Sequence, residues 1–214
     1  MGKTRKMDLG KKCKRIFSKE QSLARTVAHA VIKLQPISVW EVMMPLLLVF
    51  SFAKSKETRE IFTQNFLFTK RLALKAAWDI IEKCEQKKEA LSRIEEETMR
   101  LLSSIKEGIY SEEVRLKQMA EITLLIDHYC LLINAEGNDY NFWVINAYRR
   151  PDNYIAFLRQ LKEAEKEVYG AAMQTVGTQT SAEMVATMEK TTERLRMAAV
   201  EKIFRTTNWQ NHVE

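Results

Sequence analysis

Along most of the chain, apolar side chains recur every three or four residues, the spacing that lines up one face of an α-helix. Leu23, Val27, Ala30, Val31 and Leu34 carry the pattern early, and Phe62, Phe66, Leu67, Ala73, Leu74, Ala77, Trp78 and Ile81 carry it with a broader face. Tyr154, Leu158, Leu161, Val168 and Ala172 repeat it, followed by Val185, Met188, Leu195, Ala199 and Ile203. Strands would need alternation with period two and many tight turns. The 214 residues hold only 6 Gly and 3 Pro, too few for the turns of a β-rich chain of this length. The expected fold is all-α: a bundle of about six helices, including one very long helix and a projecting antiparallel helical hairpin.

Local signals place the boundaries. Ser18 with Gln21 makes a capping box, in which each side chain satisfies a free backbone N–H at the helix start, so the first helix is expected from Ser18 until Pro36 stops it. Ser38 with Glu41 makes another, opening a helix over about 39–54 that Pro45 should kink. The stretch from about 56 to 105 reads as the very long helix, roughly 75 Å if unbroken, with 86–88 its weakest point. Its second half narrows to a heptad seam through Ile80, Cys84, Lys87, Leu91, Ile94, Thr98, Leu101 and Ile105. Gly108 ends it and Ser111 caps the next helix, expected to run to about 134 with Gly137 closing it. So short a link implies an antiparallel hairpin, with an arm at about 80–125. A short helix over about 140–149 follows, and Pro151 suits the first turn of a helix over about 152–175. The last helix is expected over about 182–206. On this reading 1–17 is a disordered basic tail, 18–206 a single helical domain and 207–214 a C-terminal tail.

Charge is unevenly placed. The first 20 residues hold eight Lys or Arg against Asp8 and Glu20, which accounts for the whole net charge of +6. Lys3, Arg5, Lys6, Lys11, Lys12, Lys14 and Arg15 are therefore candidate contacts to an anionic surface. Lipid head groups are the first choice and nucleic acid the alternative. Residues 42–50 carry no ionisable side chain, and Trp40, Met43, Leu47 and Phe50 are candidate membrane contacts if this segment lies in the interface. The first reading of this segment is a buried core helix, with Leu46, Leu47, Leu48 and Phe50 supplied to the core, and the interfacial reading is the second. As a transmembrane span it falls short, since 37–53 makes roughly 25 Å of helix against a hydrocarbon layer of about 30 Å.

Signals for chemistry are sparse. No glycine-rich phosphate loop, Glu-x-x-His pair or His-Glu-x-x-His motif occurs, so neither a cofactor nor a metal is expected. Three widely spaced Cys without a C-x-x-C argue for a reducing compartment, and no secretion signal follows the basic N-terminus, so the expected location is the cytoplasm, with the inner membrane face as a surface to attach to. His128 stands beside Asp127 in the apolar run 122–133, with Glu121 two turns earlier. Ionisable groups there must find partners, so these three form a candidate buried polar site. The plainer alternative is that Asp127 and His128 pair with Lys or Arg from a neighbouring helix. Aromatics at Tyr140, Phe142, Trp143, Tyr148 and Tyr154, interrupted by Arg149 and Arg150, read as core packing or as a stacking surface. The expected function is a non-enzymatic helical interaction or scaffold protein. It would self-associate or bind a protein partner through helical surfaces and attach peripherally to an anionic membrane. A nucleic-acid-binding module, or a helical bundle binding a small molecule or metal, are the alternatives.

Overall fold

The computed structural model describes residues 2–32, 57–104, 111–176 and 179–205, and every regular element among them is an α-helix. In chain order these are α1 (Gly2–Val31), α2 (Glu57–Phe66), α3 (Phe68–Glu82), α4 (Lys87–Ser104), α5 (Glu112–Asn134), α6 (Tyr140–Tyr148), α7 (Pro151–Val176) and α8 (Gln179–Arg205). The segment with Trp40, Met43, Leu47 and Phe50 lies outside the described residues. No helix among the described residues is long and apolar enough to cross a membrane.

Helix α5 sits at the centre because it is apolar on most sides. Ile122, Leu125, Ile126, Tyr129 and Leu132 are fully buried. Its most extensive contacts are with α3, then α7. A helix that must be covered from several directions becomes the axle of a bundle. The expected projecting arm is corrected here: Val114, Gln118 and Glu121, in the supposed arm, are buried, with Val114 packed against Val168, Ala171 and Ala172 of α7. Helix α4 does run antiparallel to α5, since Lys87 pairs with Asp127 at 2.5 Å while Glu95 approaches Arg115 at 3.9 Å. Its seam is partly as expected, with Ile94 and Thr98 buried, but Cys84 is exposed and Ala90 takes an inward place.

The stretch expected as one very long helix is divided. Leu67 interrupts it only slightly, because Leu67 N–H donates to Thr63 O and Arg71 N–H to Leu67 O, carrying the ladder across. The true break is at 83–86, where Cys84 takes a positive φ of 56°. Two local features hold it. Asp79 of α3 is buried and gripped by Lys83 at 2.7 Å and Arg93 at 3.0 Å, and Glu89 accepts from Gln86 N–H at 3.4 Å, as in a capping box.

The N-terminal expectation is also overturned. Helix α1 begins at Gly2, so Ser18 and Gln21 lie inside it and cap nothing. Leu9, Cys13 and Phe17 pack on the core, and Ile16 is fully buried. Lys12 donates to Ile133 O (3.0 Å) and Ala135 O (2.6 Å), and Arg15 donates to Asn138 O (2.7 Å). These carbonyls lie at or just beyond the C-terminal end of α5, where backbone acceptors lack helical partners and the helix dipole favours cations.

Capping settles the remaining joints. Ser111 accepts from Val114 N–H at 3.3 Å, as expected of an N-cap. Asp139 accepts from the N–H groups of Asn141 and Phe142 to start α6. Gly137 has φ 128°, and a Cβ there would come within 2.6 Å of Phe142 Cβ, so only glycine suits this corner. Leu125→Ala should therefore cost about 2–5 kcal/mol, whereas Leu116→Ala, 53% exposed on the same helix, should change stability by no more than about 0.5 kcal/mol. Urea titration of both variants checks this, and equal costs would contradict the central placement of α5.

Candidate functional site

Charged residues occupy inward positions on four of the helices around α5. Lys70, on α3, is 2% exposed and lies 3.1 Å from Glu121 of α5 and 3.0 Å from Glu165 of α7. Thr69 adds a hydroxyl donor to Glu121 at 2.8 Å. Arg196 of α8 meets Glu165 with both terminal nitrogens, at 2.7 and 2.8 Å, the bidentate geometry of a strong guanidinium–carboxylate pair. Glu20 of α1 accepts from the Tyr129 hydroxyl at 3.1 Å. Lys70 also lies over the ring of Phe66, 4.5 Å from its centroid.

The electrostatics follow from these contacts. Burial works against the charge on Lys70, but Glu121 and Glu165 outweigh it and hold the ammonium pKa above its ordinary value. Burial likewise opposes ionisation of Glu165, and Arg196 and Lys70 prevail, keeping it well below the usual carboxylate range. Glu20 goes the other way: burial pushes its carboxyl upward, with Lys70 and Arg196 pulling back only in part.

The expected trio of Glu121, Asp127 and His128 is not one site. Glu121 belongs to the charge network, Asp127 is exposed and paired with Lys87, and His128 sits in a separate aromatic stack. Neighbours in sequence face different ways on a helix, so Asp127 and His128 diverge. The His128 ring stacks on Phe157 with centroids 4.2 Å apart and lies 6.2 Å from Tyr154. Its Nδ1 is 2.6 Å from the Tyr148 hydroxyl. Burial, then the charge of Arg196, pushes the His128 pKa down to about 3, so the imidazole is neutral. Among the described residues no Lys or Arg pairs with it; the Tyr148 phenol does.

Between these two clusters lies a cleft of about 130 Å³ where α1, α5, α6, α7 and α8 converge. Glu20, His128, Tyr140, Tyr154, Phe157 and Arg196 contribute to its walls, with Leu158, Leu161 and Leu195 as aliphatic lining. Lys19 also reaches the cleft and lies over the Tyr140 ring, 5.8 Å from its centroid. Among the described residues no group of three or more His, Cys, Asp or Glu side chains could hold a metal ion.

Sequence reasoning missed Glu20, Lys70, Glu165 and Arg196, yet three of them left a signal. The stripe Tyr154, Leu158, Leu161, Val168, Ala172 skips one helical step, and Glu165 fills it. Lys70 stands between Phe66 and Ala73 in the same way, and Glu20 between Ile16 and Ala24. Of the basic candidates, Lys12 and Arg15 are engaged by carbonyls, while Lys11 and Lys14 are exposed. Lys3, Arg5 and Lys6 lie in the first turns of α1, where side-chain positions are not described. Trp143 is buried, so the aromatic stretch is core at that point, while Arg149 and Arg150 are exposed.

His128 sets a pH dependence. The unfolded chain takes up its proton below the ordinary value of 6.5, and the folded chain only near 3. The stabilisation is therefore complete above pH 6.5 and is lost as pH falls toward about 3. The expected slope approaches about 1.4 kcal/mol per pH unit for this one proton. Denaturant titrations from pH 7 downward should show the slope, and His128→Phe, which keeps the ring stack, should remove it above the carboxylate range; an unchanged slope would assign it elsewhere. No protein-family model, curated protein or solved structure matches this chain.

Proposed function

We propose that the chain is a non-enzymatic helical binding protein whose body holds a small ligand in the cleft beside Glu20 and Arg196. One observation carries this reading: five helices converge on a pocket that sets a carboxyl, a lysine ammonium, a guanidinium, a neutral imidazole and two phenols against aliphatic and aromatic walls. That mixture, mostly apolar with a few convergent polar groups, is the composition of small-ligand sites. Catalysis is disfavoured by how the groups are engaged. Lys70, Glu121, Glu165 and Arg196 are paired with one another, and His128 has Nδ1 occupied and little basicity. The test is a thermal-shift screen of small charged and neutral fragments against wild type and Ala199→Trp. Ala199 is exposed and lines the cleft, so the indole should fill it without disturbing the core. Hits that raise Tm in wild type and vanish in Ala199→Trp are expected; hits that survive the substitution would reject the cleft.

A second reading, peripheral attachment to an anionic membrane by a helical interaction protein, is supported by Lys11 and Lys14, which stay exposed on α1. The apolar segment that contains Trp40 and Phe50 would supply the second of the two signals that stable attachment needs. Co-sedimentation with vesicles containing phosphatidylserine should fall in a Lys11→Glu, Lys14→Glu variant and with added salt. Equal sedimentation of variant and wild type would reject this use of the two lysines.

A further inference from the structure

We infer that the cleft beside Glu20 takes a small uncharged aromatic molecule carrying one hydrogen-bond donor, in its simplest form a phenol, an inference that rests on the binding role proposed for that cleft. Charge gives the first ground. The walls hold two cations, Lys19 and Arg196, and one carboxyl, Glu20. Arg196 is committed bidentately to Glu165, and Lys19 lies over the Tyr140 ring. Lys70 and Arg196 also act on Glu20, pulling against the effect of its burial. A cation entering the cleft would meet Lys19 and Arg196, and an anion would meet Glu20. Either would give up hydration for walls of mixed sign, a transfer that is costly for an ion and far less so for a neutral molecule.

The rings give the second ground. His128, Tyr154 and Phe157 all line the cleft, and they lie nearly parallel. His128 and Phe157 are inclined by 16°, Tyr154 and Phe157 by 12°, and His128 and Tyr154 by 18°. Their shared orientation lets one planar guest stack on several rings, or meet them edge-on, the arrangements aromatic pairs prefer. Size agrees: a cleft of about 130 Å³ is close to a cavity of about 150 Å³ that accepts benzene, so a single six-membered ring fills it.

Glu20 supplies the third. Its Oε1 accepts from the Tyr129 hydroxyl, the one hydrogen bond it makes among the described residues. The side chain is half-buried and lines the cleft, so its second oxygen can accept from an O–H or N–H of the guest. A carboxyl offers such an acceptor whether or not it is ionised.

The experiment is calorimetric titration of the full chain with phenol, benzene, N-methylpyridinium and 2-furoate, supported by Tm shifts. Benzene lacks the donor, and the two ions keep nearly the same size but carry opposite charges. Phenol should bind saturably and raise Tm, with benzene and both ions at least about tenfold weaker. Glu20→Gln should lose at least about tenfold in phenol affinity and none in benzene affinity, while keeping the wild-type circular-dichroism spectrum. A merely structural role for Glu20 would weaken both ligands alike. Ala199→Trp should abolish binding of phenol and benzene. Binding of either ion as tight as that of phenol would overturn the neutral assignment. Benzene binding equal to phenol, or a Glu20→Gln variant that holds phenol undiminished or loses both ligands equally, would overturn the donor. In each of these cases the cleft remains a ligand site, as it does if phenol fails to bind but other fragments bind and are lost in Ala199→Trp. Absence of any ligand sensitive to Ala199→Trp would reject both.

Discussion

Lys70 is held between Glu121 and Glu165, and Glu165 in turn is held by Arg196, so α3, α5, α7 and α8 share one buried chain of charge. Glu20 adds α1 through the hydroxyl of Tyr129. Apolar packing tolerates sliding and rotation of one helix on another at modest cost, but charged hydrogen bonds do not. Displacing any of these helices by one turn would strand at least one ionised group away from water and away from its partner. Loss of one member of a buried pair typically costs about 3–5 kcal/mol, most of it the penalty of the charge left behind. The network is thus a specificity device, fixing which helix meets which and in what register.

The same arrangement explains why a cleft survives in the middle of a helical bundle. Side chains near Arg196 are held by directional contacts and cannot collapse inward as aliphatic groups would. The His128 stack with Tyr154 and Phe157 is similarly rigid, with a phenol fixing one ring nitrogen. Space between two rigid polar and aromatic clusters stays open. Its walls carry Lys19, Glu20 and Arg196 beside the aromatic rings.

Much of the architecture was legible in the sequence where local rules act alone. Ser111 caps α5, Pro151 opens α7, and the short aromatic helix lies within a residue of its expected span. The errors share one cause. Residues 1–17 read as a tail because eight basic residues crowd the first 20, although Leu9, Cys13, Ile16 and Phe17 already keep helical spacing. What makes that segment a docked helix is the set of carbonyls at and just beyond the C-terminal end of α5, more than 100 residues away, that accept from Lys12 and Arg15. The division of the long helix at 83–86 likewise depends on Asp79 gripping Arg93 across the corner. Asp127 and His128 looked like partners because they adjoin in sequence, yet one helical step turns them to opposite surroundings.

The sequence by itself determined that this chain is helical, and roughly where most of its helices start and stop. Periodicity, caps and the scarcity of glycine and proline act within a few residues of each position. Only the tertiary structure decided which charges meet, because Glu20, Lys70, Glu121, Glu165 and Arg196 come from five helices and their attraction depends on distances that no local pattern encodes. The candidate site is a product of that second level: its walls are drawn from five helices that meet only in the folded chain.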